Sequence, residues 1–480
     1  MMETSKQGST KMMIGIVLAV LTFWLFAQSM VSIGPAVQAD LGISLGTLNI
    51  AISLTALFSG MFIVAAGGIS DKVGRKKLTY LGLILSIIGS LCLILAQDTT
   101  LLITGRIIQG FSAACIMPST IALVKAYFEG ADRQRALSYW SIGSWGGGGS
   151  TYLIGGAIAT YMGWRWIFVF SIVISLVAMY LLKDIAESKA VQSNNSRFDL
   201  TGFIIFIGIM LALNLTITRG DEFGWTSPLT IALIAAVLIG SVLFFIIEIR
   251  KSNKFIDFSL FKIKAYTGAT TSNFLLNAVA GTFVVTNTYV QISRGFTAFQ
   301  SGLLTIGNLV ALLLMIRVGE KLLQKVGARK PMIAASIMSS VGISLTALTF
   351  LPDMTYIIVV FFGFMLSGAG LGLYATPSVD TAVASVSIDK IGVASGIYKM
   401  SSSLGFSFGI AISAAVYGAV IATGNVEAAA PLGILVNVIF AIPALISIML
   451  TISSNEGKVV PELRTEKDET EKSFVLNSGS

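Results

Sequence analysis

Apolar positions in this chain gather into long unbroken runs, and polar positions cluster briefly between them. Runs of about 20 residues begin near residues 12, 47, 78, 101, 135, 163, 198, 227, 266, 298, 330, 355, 391 and 429. Each is about as long as the ~20 residues a helix needs to cross ~30 Å of hydrocarbon. The pattern predicts an all-α integral membrane protein of fourteen transmembrane helices, and the even number puts both termini on one side. The first run follows Lys6 and Lys11, but its length and the many runs after it mark a retained helix and not a cleaved leader. Between the runs at 47–68 and 78–97 lies a dense charged cluster, Gly67-Gly-Ile-Ser-Asp71-Lys-Val-Gly74-Arg75-Lys76-Lys77. This cluster reads as a tight elbow joining two spanning helices.

Composition fits a lipid-embedded chain: of 480 residues 55% are hydrophobic and 12% charged, about half the ~25% charged fraction of an ordinary soluble domain. The net charge of +8 would suit nucleic acid if the bases formed one stripe, but they alternate with the apolar runs. With the elbow placed in the cytoplasm, twenty-six of the 32 Lys and Arg residues fall on that side. Arg165, Arg219 and Arg294 fall outside, and Arg106, Arg317 and Lys399 lie within or at the edges of spans. This asymmetry orients the protein by the positive-inside rule, with both termini cytoplasmic.

Several chemistries are excluded. There is no histidine, and Cys92 and Cys115 stand in separate apolar runs, so neither a metal site nor a disulfide framework is expected. No Gly-x-x-x-x-Gly-Lys-Ser/Thr loop occurs, and the glycine clusters at 146–149 and 368–372 follow no strand, so nucleotide binding is not expected. No nucleophile-base pair suggests an enzyme. No cofactor is called for, and work done by this protein draws on an ion gradient or on the gradient of its own substrate.

The polar stretch 184–197 separates a six-helix block, 1–183, from the rest, and a flexible tail is expected over 456–480. Between them lie two extra central helices, 198–250, and a second six-helix block, 251–455. The two blocks repeat: Gln109 to Pro118 followed by Asp132-Arg133 and Ala136 has its echo in Gly368 to Pro377, Asp389-Lys390 and Ala394, at an offset of about 258. Duplicated halves around a central path are a transporter design.

Individual residues carry two readings each. The elbow is either a basic anchor on anionic headgroups or, given the ordered glycine, acid and base spacing of Gly67, Asp71, Gly74 and Arg75, a gating device. Arg106, inside the fourth run, costs roughly 2.5–3.5 kcal/mol unless it faces protein or water, or else it snorkels to the interface. Gly143, Gly147, Thr151 and Gly155 form a small-residue stripe, suited to ordinary packing or to a rocking interface between halves. Proton coupling needs a carboxylate partly buried at membrane depth. Asp380, three residues after Pro377, is the first candidate, against a role as a helix-end cap, and Glu320 is the second. Glu248 is placed at an interface.

The elbow spacing resembles the signature loop of the major facilitator superfamily. The fourth run, Arg106-Ile-Ile-Gln109-Gly110, resembles that family's second motif. Arg133-Gln-Arg-Ala136, Gly163-Trp164-Arg165-Trp166, Gly220 to Pro228 with Gly224-Trp225, and Phe255-Ile-Asp257-Phe-Ser-Leu-Phe261 resemble its fourteen-span drug:proton antiporter branch, Nor-type quinolone exporters of Gram-positive bacteria above all. The resemblance implies two pseudo-symmetric six-helix halves plus two inserted helices, a bacterial plasma-membrane location, and export of amphipathic drugs by alternating access. It also implies a part for Arg106 in proton coupling. Thr151-Tyr152 departs from the family's antiporter motif, and Gln28 occupies a segment that often carries an acid. Proton-driven uptake of a metabolite and a transporter-fold sensor are the alternatives.

Candidate cavity residues are Trp24, Gln28, Met117, Tyr139, Asn273, Asn277, Asn308, Tyr374, Tyr398 and Lys399, with Phe26 and Trp140 beside them. Pro118 and Pro377 are candidate flex points. With Asp71 the one acid expected inside the first half, and Arg106 and Lys399 the interior cations, neutral or zwitterionic amphiphiles with a carboxylate are the expected cargo. The other expected partners are protons and the bilayer, and the expected state is a monomer.

Overall fold

The computed structural model describes residues 9–43, 45–190, 199–224, 226–251, 254–296 and 298–459. Among these residues the regular structure is helical throughout. Helical segments follow one another as fourteen rods: α1 (10–41), α2 (Leu45–Val73), α3 (Arg75–Ile94), α4 (Thr99–Tyr127), α5 (130–161), α6 (Arg165–Leu182), α7 (Leu200–Phe223), α8 (Pro228–Arg250), α9 (Lys264–Ser293), α10 (298–326), α11 (Arg329–Thr346), α12 (Asp353–Ala384), α13 (Ile391–Ala422) and α14 (426–451). Among the described residues ten helices are long and apolar enough to cross a membrane. The rods outside that set include α5, α9 and α11, whose buried glycine, serine, threonine and asparagine lower their hydropathy.

Two rods are locally rewound. In α1 a π-helical turn, Thr22–Phe26, runs into a 3-10 turn, Ala27–Ser29, and α5 carries π-helical turns at Ile142–Gly146 and Thr151–Gly155. Such turns free backbone carbonyls from the regular ladder. Thr151 fills this role between the two rods, its hydroxyl donating to the Trp24 carbonyl at 3.0 Å.

Buried apolar clusters divide unequally along the bundle axis. At the end carrying the elbow, the basic end, one core joins α1, α2, α4 and α5 to α7, α12 and α13, and a second, with Leu323, Met332 and Ile452, lies among α9 to α14 with Ile142 and Trp145 of α5 packed against it. Towards the opposite end the core splits. One cluster holds Leu25, Met30, Trp164 and Phe168 from α1 to α6, and two others hold Ile343, Ile434, Tyr356 and Phe364 from α9 to α14.

The elbow has a structural counterpart after α10. The Arg75 N–H donates to the Ser188 carbonyl and the Ala190 N–H to the Asp71 carbonyl, both at 2.9 Å. In the other block the Ala328 N–H donates to Glu456 at 2.8 Å and the Val459 N–H to Gln324 at 3.0 Å. The turn glycines Gly74 (φ 129°) and Gly327 (φ 80°) both sit in the left-handed region that a side chain resists. Thus the segment after α6 and the segment after α14 pair with their elbows alike. The expectation of a free tail from Glu456 therefore fails for residues 456–459, which are pinned by backbone hydrogen bonds. The rest of the tail, the linker core 191–198 and Trp225 of the Gly224-Trp225 motif lie outside the described residues.

Candidate functional site

At the basic end α2 crosses α13 with their backbones in contact. A Cβ on Gly67 would overlap the Gly392 carbonyl oxygen, and one on Gly392 would overlap that of Gly67, so only hydrogen fits on either side. This approach brings the Asp71 carboxylate to the first turn of α13, where it accepts from the Gly392 N–H at 2.9 Å and the Val393 N–H at 3.3 Å. An anion at a helix N-terminus satisfies unpaired N–H groups and meets the positive end of the helix dipole. Arg75, fully buried, donates to Asp71 at 3.2 Å, to the Ser188 hydroxyl at 2.9 Å and to the Ile388 carbonyl. Glu187 accepts from the Lys76 and Lys77 N–H groups at 2.9 and 3.0 Å and so caps α3.

The same corner of the second block is held from its other side. The Lys125 ammonium on α4 donates to the Val383, Ala384 and Val386 carbonyls at the end of α12, placing a cation on the negative end of that helix. An acid on the start of α13 and a base on the end of α12 thus clamp residues 383–393. Beside them Asp380, fully buried, accepts from the Arg133 guanidinium at 2.8 Å and the Gln134 amide at 3.2 Å, both on α5. The Gln134 amide also donates to the Gly457 carbonyl at 2.6 Å, which brings the chain after α14 into the closure. Arg317 pairs with Glu320 and donates to the Ser138 hydroxyl at 3.3 Å, its guanidinium 4.6 Å from the Tyr139 ring centre.

Arg106 is wholly buried and does not snorkel. It donates to the Ala51 carbonyl at 3.0 Å and, at 2.7 Å each, to the Ala27 carbonyl and the Gln109 side chain. Ala27 lies in the 3-10 turn of α1, so the rewinding of that rod supplies an acceptor. One guanidinium nitrogen of Arg106 has no hydrogen-bond partner among the described residues.

In the middle of the bundle α1, α2, α4, α7 and α13 enclose a cavity of about 110 Å³. Its wall is chiefly apolar, with Phe23, Leu57, Met117 and Met210, and its polar groups include Gln28, Asn214, Ser403 and the Lys399 side chain. Drug-sized ligands occupy sites of about 300–1,000 Å³, so such a ligand requires the walls to part. Of the ten expected cavity residues the structure brings Trp24, Gln28, Met117 and Lys399 to this space. The others are placed elsewhere. Tyr139 stacks on Arg317; Asn273 donates to the Tyr398 carbonyl at 3.0 Å and Asn277 to the Asn273 carbonyl at 2.7 Å. Tyr374 bonds Ser272 at 2.6 Å, Tyr398 donates to Ser378 at 2.9 Å, and Asn308 packs against Gly368. Phe26 belongs to the core of the first block and Trp140 stands beside Lys399.

The stripe on α5 faces its own block. Gly143 abuts Val17 and Gly147 abuts Leu21 and Trp24, whereas Gly146 and Gly149 meet Leu313 and Leu309 of α10. Gly155 ends the second π-helical turn. Pro118 and Pro377 lie inside α4 and α12, at matching places in the two blocks, and both are buried.

Sequence reading missed the part played by α7. Met210, Leu213 and Asn214 give the cavity a wall, and Phe203 and Phe206 hold the helix in place. Phe203 lies 5.5 Å from both Phe62 of α2 and Phe255, and Phe206 lies 5.3 Å from Phe255. Glu248 secures that loop by accepting from the Phe255 and Ile256 N–H groups at 2.7 and 3.2 Å. The available signal was the aromatic spacing in Phe203, Phe206 and Phe255.

Residues 12–262 match the family model described as Major Facilitator Superfamily. The chain belongs to that superfamily. It is 51% identical over 446 residues to the quinolone resistance protein NorB of Staphylococcus aureus strain MRSA252, covering 93% of this chain and 96% of that protein, and 52% identical over the same span to NorB of strain COL. Solved superfamily structures share the fold at low identity. The proton:xylose symporter XylE has a TM-score of 0.65 at 14% identity, covering 95% of this chain and 98% of that one. The human organic anion transporter MFSD10 has 0.60 at 14%, covering 93% and 100%. Among the described residues no group of three or more Cys, Asp or Glu could hold a metal ion.

Proposed function

We propose that this superfamily member is a proton-coupled exporter of amphipathic drugs, quinolones among them, working by alternating access in a bacterial cell membrane. The likeness to NorB over nearly the whole of both chains carries the substrate reading. The mechanism rests on one contrast: hydrogen bonds, ion pairs and apolar core join the two blocks at the basic end, and the core divides between them at the other. With the basic end in the cytoplasm and both termini there, this is a form closed inward. The blocks 1–183 and 251–455 rock about the cavity, with Gly67, Asp71, Gly74 and Arg75 as the inner latch.

Asp380 is the first choice for the coupling carboxylate. It is buried in the closure and held by Arg133 and Gln134, so a proton arriving there weakens the pair and releases α12 from α5. Glu320, paired to Arg317, is the second choice, and Arg106 serves by holding the rewound part of α1. One proton crossing ~100 mV releases about 2.3 kcal/mol, enough at 1.4 kcal/mol per tenfold for roughly a forty-fold gradient of a neutral drug. No cofactor is needed, and a monomer suffices because the cavity is built from one chain.

The test uses everted vesicles with an imposed pH gradient. Addition of a quinolone should trigger proton efflux, lost in Asp380→Asn. Drug movement without proton movement would overturn the coupling, and uphill transport by Asp380→Asn would transfer it to another carboxylate.

A further inference from the structure

Lys399 is buried, lines the cavity and carries its ammonium 5.3 Å from the Trp24 ring centre and 5.2 Å from that of Trp140. Two indole faces attract a cation, but by less than its removal from water costs. Among the described residues no carboxylate lines the cavity, and the ammonium has no ion-pair or hydrogen-bond partner. The Trp24 indole N–H, buried beside it, also has no acceptor among the described residues. A cation in a chiefly apolar chamber, with no counter-charge among the described residues, is complementary to a group with negative charge.

We infer that Lys399 and the flanking Trp24 form a carboxylate subsite of the cavity, selecting amphiphiles with one anionic group next to an aromatic body. The inference deepens the exporter reading and rests on it for the nature of the cargo. The ligand's carboxylate takes the Lys399 ammonium as its counter-ion, its ring system lies against Trp24, Phe23 and Met117, and the thioethers of Met210 and Met400 adapt to its shape. Opposite charges desolvated together attract strongly, whereas a dication would bring a like charge to the ammonium. The chamber therefore discriminates by charge at Lys399 and tolerates variation in shape elsewhere.

The test compares a piperazinyl fluoroquinolone with its methyl ester, which keeps the aromatic body and removes the anion. Binding to purified protein is read by quenching of tryptophan fluorescence. Wild type should bind the acid at least tenfold more tightly than the ester. Lys399→Met should lose that tenfold for the acid and bind the ester within twofold of wild type, and Lys399→Arg should restore most of the acid affinity. Ester binding by Lys399→Met shows that the variant is folded. Equal wild-type affinity for acid and ester, or equal losses for both in Lys399→Met, would overturn the subsite. A wild type that discriminates in binding but moves neither compound in vesicles would overturn the exporter reading and leave the subsite standing.

Discussion

The two ends of the bundle use the same chemistry to opposite purpose. At the basic end Asp71, Lys125 and Arg133 on the first block reach residues 380–393 on the second. At the other end Arg165 bonds Asp40 at 2.6 Å and the Ile94 and Ala96 carbonyls at 3.1 and 2.8 Å, all within the first block. Arg294 pairs with Asp353 and bonds the Thr349 and Leu351 carbonyls, all within the second. Charged groups thus bind block to block at one end and bind each block to itself at the other. A bundle built in this way is free to part at the second end while the first stays shut.

A finer contrast lies within the basic end, between its two elbows. The first has Asp71 and Arg75, the second Gln324 and Ala328 in the matching backbone positions. Asp71 caps the partner block's helix, and Gln324 bonds Glu320 of its own. The second elbow reaches across through the chain after α14, whose Gly457 carbonyl accepts from Gln134. The contact between the blocks is therefore made by a charged side chain at one elbow and by a backbone carbonyl at the other.

The largest expected effect follows from Asp71→Asn, which leaves Arg75 buried without its counter-charge. Breaking one partner of a buried pair costs about 3–5 kcal/mol. Transport should slow at least tenfold while drug affinity stays within a few-fold, and a spin-label distance between α2 and α13 should lengthen. An unchanged rate would return the elbow to simple anchoring. Gly392→Ala comes next, because its methyl has no room against Gly67. Overpacking of this kind costs about 1–3 kcal/mol, and the closed form should lose population in the same distance measurement. Gly418→Ala, on the same helix with open space around it, is the control and should be neutral.

Gly457→Val tests the second elbow. The side chain meets Leu323 and a positive φ of 75°, so the segment should undock. A melting temperature a few degrees lower and a two- to five-fold faster opening of the basic end are expected. If opening is unaffected, the chain after α14 is no part of the latch. Arg294→Gln should be milder still, costing about 1 kcal/mol of stability by thermal unfolding and leaving the distance at the basic end unchanged.

The smallest effect concerns pH. Burial pushes the Asp257 carboxyl up, but the Lys390 ammonium at 2.5 Å and the Ser259 groups outweigh it and hold it down to about 2. A depressed carboxylate contributes stability that is present above the unfolded value near 3.9 and lost as pH falls through about 2. This tie between the loop after α8 and the start of α13 should therefore stay constant from pH 5 to 8. Asp257→Asn should lower stability equally at both limits, and a pH-dependent loss would contradict the assignment.

Much was legible in the chain order. The apolar runs correspond to helical rods, the elbow is a tight turn at Gly74, and the repeated Pro118 and Pro377 lie at matching places in α4 and α12. The site was legible only in part. Trp24, Gln28, Met117 and Lys399 share a chamber, whereas Asn273, Asn308 and Tyr374, also expected there, seal contacts within the second block. Helices apolar on every face carry no stripe to tell which side meets a cavity and which a neighbour.

By itself, then, the sequence determined the lipid-embedded class, the rods, the duplication and the superfamily, because lipid imposes helix length and apolarity segment by segment. The partners of each charge were decided only by tertiary structure. Asp71 meets Gly392 from 321 positions away, Lys399 reaches Trp24 and Trp140, and α7 walls the cavity. These pairings depend on how far glycine-bearing helices approach and how each rod is rotated about its axis, and those quantities exist only once all the rods are packed together.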